Sequence, residues 1–220
     1  MRNVRVMRRV GRSLKQALAW SLAILALLGA TGCSVSLPGS GDSAVQSPTP
    51  SIIYQNPLTS AASGWDNAPG TCFFGPGGYH VSNNYACYAP AGVLTDVGIT
   101  VDVMQLAGLA SAPYGIIVRQ TKAISYEFDI TSGGEWQFVK CTNGTCSPLV
   151  PPTLNSAIKP ALKSSNTLEV RATQKHFDFW VNSINVGQVD DTGVYSGRIA
   201  LAVSKNMESV FTNITITKFG

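Results

Sequence analysis

Histidine and charge are both scarce in this chain of 220 residues, with two histidines and 13% charged residues. His80 and His176 stand far apart, each in a strand-like run without a second ligand at helical or knuckle spacing, so no histidine-built metal or proton-transfer site is visible. A Gly-x-Ser-x-Gly segment is missing, which excludes the nucleophile elbow. CxxC pairs are missing too, which removes the usual zinc knuckles. After residue 33 no apolar run has a period of 3.6, so nothing reads as a helix, and no internal repeat is found. Acidic residues are absent from the N-terminal stretch that holds Arg2, Arg5, Arg8, Arg9, Arg12 and Lys15. Setting those six aside leaves ten basic residues against twelve acidic ones, a net charge of −2. The remainder therefore has no basic surface for nucleic acid.

What the N-terminal stretch does contain is the anatomy of an export signal: a basic segment, the apolar run ALAWSLAILALLG from Ala17 to Gly29, then small residues. The run is shorter than the roughly 20 apolar residues of a spanning helix. Ala30-Thr31-Gly32-Cys33 resembles a bacterial lipobox, with Ala30 where such motifs usually carry Leu. The expectation is a signal peptide over 1–32, lipid attachment at Cys33, a tether over 33–53 rich in Ser, Pro and Gly, and a single domain over 54–220. The protein would then be an extracytoplasmic, membrane-anchored lipoprotein. Ordinary secretion or an uncleaved anchor are the alternatives.

Four further cysteines, an even number in an exported chain, read as disulfides. Cys141 and Cys146 enclose the turn sequence TNGT, and Cys72 and Cys87 bracket a segment rich in Gly and aromatics, which favours these two local pairs. Zinc held by four thiolates is the rival reading.

Alternation organises the rest. Leu168, Val170 and Ala172 share one strand face. Phe177, Phe179 and Val181 share another, opposite His176, Asp178, Trp180 and Asn182. Gln174-Lys175 and the run from Asn182 to Asn185 read as hairpin turns. Further strands are expected at 93–104, 115–120, 126–130, 135–141, 198–203 and 209–217, with 115–120 pairing 93–104. Residues 149–162, with Pro151, Pro152 and Pro160, read as a connection. Many short strands at close spacing predict an all-β antiparallel sandwich or barrel.

The segments SGW (63–65), YHV (79–81), YGIIVR (114–119), YEFDI (126–130), NTLEVRA (166–172), FDFWVN (177–182), SGRIAL (196–201) and VFTNITI (210–216) resemble the concanavalin A-like lectin and glucanase superfamily, in the form of an extracytoplasmic jelly-roll domain. The domain is distantly similar to that of 3-keto-disaccharide hydrolases. The resemblance covers about 54–220 and implies a jelly-roll sandwich. Function stays open, because that architecture hosts lectins, glycosidases and interaction modules.

Candidate chemistry follows the alternation. Glu127-Phe128-Asp129 matches the start of a glucanase Glu-x-Asp strand, but Thr131 and Ser132 stand where a third acid belongs, and a solvated polar face is the plainer reading. Trp180 with Asp178 and Asn182, and Trp136 beside Glu135 and Gln137, could stack on and hydrogen-bond a sugar; packing is the competing account. Trp65 reads as a structural plug. Asp190-Asp191 could offer oxygens to calcium, or simply form a polar loop. The function expected is a binding module for carbohydrate or cell-wall polymer, with a hydrolase of unrecognised site or a protein-interaction spacer as alternatives.

Overall fold

The strand pattern is realised as fifteen strands within residues 50–220, the part that the computed structural model describes. The expected signal, the lipidation site Cys33 and all of the tether up to residue 49 lie outside the described residues. In chain order the strands are β1 (Ser51–Asn56), β2 (Cys72–Gly75), β3 (Gly78–Ser82), β4 (Ala86–Tyr88), β5 (Leu94–Thr95), β6 (Val97–Ala107), β7 (Tyr114–Gln120) and β8 (Ile124–Ile130). They continue as β9 (Glu135–Thr142), β10 (Thr145–Leu154), β11 (Ser165–Thr173), β12 (His176–Val181), β13 (Ile184–Asp190), β14 (Ser196–Val203) and β15 (Glu208–Lys218). Among the described residues, one 3-10 turn, Ala61–Ser63, interrupts them.

Two antiparallel sheets form. The first runs β13-β12-β11-β6-β15-β3-β2, with β1 also on β15; the second runs β10-β9-β8-β7-β14-β4, with β5 also on β14. Their facing sides hold the core, in which Phe138 lies 4.9 Å from Phe177 and 4.5 Å from Phe179 by ring centroids, and Phe128 lies 4.9 Å from Phe179. Burying each such ring contributes roughly 1.5–3 kcal/mol. The hairpin β11–β12 has the expected sidedness, with Val170 opposite Phe179 in the core and Glu169 opposite Trp180 outside it. Asn182 and Ser183 both have positive φ (52° and 67°), the geometry of a two-residue hairpin turn, so Ile184 and Asn185 already belong to β13.

Both expected disulfides form. Cys72–Cys87 ties β2 of the first sheet to β4 of the second, and Cys141–Cys146 joins directly opposed residues of β9 and β10. With the thiols oxidised, the zinc alternative falls.

Three expectations are corrected. The domain begins before residue 54, because Ser51–Asn56 pairs with the C-terminal strand β15. Strand β7 does not pair with β6: both edges of β6 are taken by β11 and β15, and the loop after Ala107 carries the chain into the opposite sheet. Finally, residues 149–154 are strand rather than connection. Pro148, Pro151 and Pro152 are tolerated because β10 is an edge, where a missing N–H faces no partner, and the register shifts around them.

At the β7–β14 contact, a register irregularity lies opposite Arg119, whose φ is 52°. The bulge turns the Arg119 side chain inward, its guanidinium 4.5 Å over the Phe177 ring and donating to the Val194 carbonyl. Gly197 is required there, since a Cβ would sit 2.2 Å from the Arg119 carbonyl carbon.

Candidate functional site

On strand β8, Tyr126, Phe128 and Ile130 fill the core, so Glu127 and Asp129 project from the outer side of the second sheet. Cross-strand pairing sets a row on that side: Gln137 of β9, Asp129 of β8, Gly115 of β7, Ala202 of β14 and Ala86 of β4. A neighbouring row reads Val139, Glu127, Ile117, Ala200 and Tyr88. The first row ends in Gly, Ala and Ala, so a channel crosses the strands. It has a volume of about 350 Å³, with Glu127, Asp129 and Gln137 on one side and Pro148 and Pro152 of the β10 edge as a wall. Gly115 allows the close approach, because a Cβ there would lie 2.0 Å from the Phe128 carbonyl oxygen.

This face is not the solvated polar surface expected of Glu127-Phe128-Asp129. Asp129 is only 5% exposed and its outward neighbours Ile117 and Ala200 are 5% and 0% exposed, so the face is sunken. Burial, then the nearby Glu127 charge, pushes the Asp129 carboxyl up to about 7, against a hydrogen bond from Gln137 Nε2 to Oδ2 (3.1 Å) that favours the charged form. Burial alone raises Glu127. Among the described residues, no Lys or Arg lines the groove. Glu127 Oε1 touches the Cys141 sulfur at 3.4 Å, and because Cys141 and Cys146 are bonded to each other, no thiolate joins Glu127 in a metal site. Thr131 and Ser132 follow the end of β8, leading into its turn, without a third acid.

The expected aromatic platform is not assembled. Trp136 is 4% exposed and packs against Phe128 and Phe179, because it alternates with Gln137 and so shares the core side with Phe138: it is core, not a sugar contact. Asn182 is also structural. Its amide donates to the Ala157 carbonyl and to Asn166 Oδ1, which uses both of its N–H donors, and its oxygen accepts from the Thr167 N–H. Trp180 does lie on the outer side of the first sheet, half-buried, with the Arg171 guanidinium 4.4 Å from its ring centroid and occupying a face a sugar would use. Asp178 faces the same way, near His176 Nε2 (3.2 Å). Trp65 is the plug expected of it, buried against Tyr79 with Nε1 donating to Tyr54 Oη.

Asp190 and Asp191 face different partners and form no calcium cradle. Asp190 pairs with Lys175 and His176, and Asp191 pairs with Lys140 (2.8 Å) and accepts from Tyr126 Oη. His80 bridges Glu208 and the Pro76 carbonyl while stacked on Phe73.

No family model matches the chain, and no curated protein matches it. Solved structures do. The carbohydrate-binding module CBM66 from Bacillus subtilis is similar with a TM-score of 0.61 at 19% identity, over 70% of this chain and 95% of that one. A Bacillus subtilis protein of unknown function with a galectin-like fold is similar at 0.60 and 12% identity, over 76% and 96%. A Bacillus licheniformis beta-glucanase is similar at 0.56 and 12% identity, over 76% and 98%. These likenesses, together with the two antiparallel sheets, establish the fold as a concanavalin A-like jelly roll.

Proposed function

We propose that this domain is a carbohydrate-binding module whose site is the groove across the outer side of the second sheet, carried on an exported, lipid-tethered chain. The observation that carries the reading is the carboxyl pair. Burying Asp129 and half-burying Glu127 with no cation nearby costs stability, and a face serving only to pack against solvent has no need of them. Carboxyl and amide groups beside a shallow apolar floor are the groups that hold sugar hydroxyls. CBM66 and the beta-glucanase, similar in fold, support a saccharide as ligand. The missing third acid on β8 favours binding over hydrolysis. The cell-surface placement rests on the basic, apolar and Cys33-terminated N-terminal sequence alone.

A glycan array followed by calorimetry on the tightest neutral oligosaccharide tests the site. Ala202→Trp places an indole on the groove floor outside the core and should weaken binding by about tenfold or more, a loss of roughly 1.4 kcal/mol. Trp180→Ala should leave the affinity within about twofold. Equal binding by Ala202→Trp, or no glycan bound at all, would overturn the reading.

A further inference from the structure

We propose that the groove selects saccharides that carry free amino groups, with an ammonium seated between Glu127 and Asp129. This rests on the groove being the saccharide site and names the class of sugar it prefers.

The geometry supplies the reason. The side chains facing the two carboxyls across the strands are Gln137 and Val139 of β9, Ile117 of β7, and Ala200 and Ala202 of β14, with Gly115 between them. None is charged. On the β10 side the lining is Pro148, Pro152 and the disulfide sulfur of Cys146. Asp129 Oδ2 accepts from Gln137, while Oδ1 has no donor and is not sealed from the groove, and Glu127 receives no N–H or O–H hydrogen bond from the described residues. Two acids thus lack a counter-charge and most of their donors, in a cleft large enough for a sugar ring.

Three ligand chemistries meet this cleft differently. A uronate or phosphate-bearing polymer would bring a further negative group against two acids in a site with no cation, and is rejected. Neutral hydroxyls can donate, but without compensating the charge. A protonated amine offers three donors and the missing charge at once, in a site of low dielectric where charge-assisted hydrogen bonds are strongest. Burial that favours the protonated carboxyls in the empty groove fits the same picture, since an ammonium would supply what the protein itself withholds.

Calorimetry with four probes decides it: a β-1,4-linked glucosamine hexamer, its fully N-acetylated counterpart, cellohexaose and a galacturonate oligomer. The glucosamine hexamer should bind at least about tenfold tighter than the acetylated one, and the galacturonate should not bind. In Asp129→Asn, and separately in Glu127→Gln as a second variant should the first fold poorly, the ratio of glucosamine-hexamer to acetylated-hexamer affinity should shrink to about twofold or less. Asp66→Asn, an exposed acid elsewhere, should keep the preference; its loss there would show general attraction of a cation to an acidic protein and overturn the proposal. Neutral probes binding as tightly as the amine, or galacturonate binding comparably, would overturn the amine preference and leave the saccharide site standing. Failure of all four probes would remove both.

Discussion

Replacing Asp129 with Asn separates what a buried carboxyl costs from what its shape contributes. In the unfolded chain the carboxyl ionises near its ordinary value of 3.8, whereas in the fold it does so near 7, so the native state holds its proton more tightly. A group of that kind stabilises nothing extra by ionising: its full contribution is present below the unfolded value, and stability is lost as pH rises through the interval to the folded one. The whole loss is on the order of 4 kcal/mol, and more than half of it falls between pH 5 and pH 8. Asn has the same outline and can still accept from Gln137 Nε2, but cannot ionise. Urea titrations followed by tryptophan fluorescence at pH 5, 6, 7 and 8 give the difference between the two proteins, which cancels titrating groups not coupled to Asp129 and leaves that of Asp129 with its neighbour Glu127. Asp129→Asn should gain on the wild type by roughly 2–3 kcal/mol from pH 5 to pH 8 and be the more stable protein at pH 8. Parallel stability curves, or a variant weaker than wild type at pH 8, would refute the claim that Asp129 is buried without a compensating charge.

Other substitutions divide core from surface. Trp136→Ala should cost about 3–5 kcal/mol in chemical denaturation, because the indole fills the space against Phe128 and Phe179; Trp180→Ala should cost about 1 kcal/mol, mostly its contact with Arg171. Reducing Cys72–Cys87, which closes a separation of 15 residues between the sheets, should lower stability by about 3 kcal/mol, read from denaturation of a Cys72→Ala/Cys87→Ala protein. Gly197→Ala should cost more than about 3 kcal/mol or prevent folding, since the added Cβ meets the Arg119 backbone. His176 should titrate above its ordinary value in an NMR pH series, chiefly through its hydrogen bond to Asp190, and Asp190→Asn should bring it back down.

Much of this architecture is legible in residues that alternate cleanly. The sides of Phe177, Phe179 and Val181, the hairpin with Leu168 to Ala172, and both cysteine pairs follow from local spacing, because a pleat and a short loop are local facts. Strand neighbours are not local. Nothing in GIIVRQ says that β7 lies beside β14 rather than β6, and the floor of the groove exists only because that order sets Gly115 beside Ala202. Trp136 misleads for a specific reason. Lys140 lies on the inward side of the same strand and reaches Asp191 at the sheet end, so the segment looks polar on both sides. Glu127 and Asp129 are visible as an alternating acid pair, but their burial comes from the sunken sheet and the proline-rich edge beside it, which only the assembled fold creates.

The binding surface can be located by NMR titration of the isotopically labelled protein with the tightest oligosaccharide found on the array. Amide shifts should concentrate at Glu127, Asp129, Gln137 and Ala202, with the Trp180 indole N–H unmoved. Shifts centred on Trp180 and Arg171, with the groove amides unmoved, would contradict this placement.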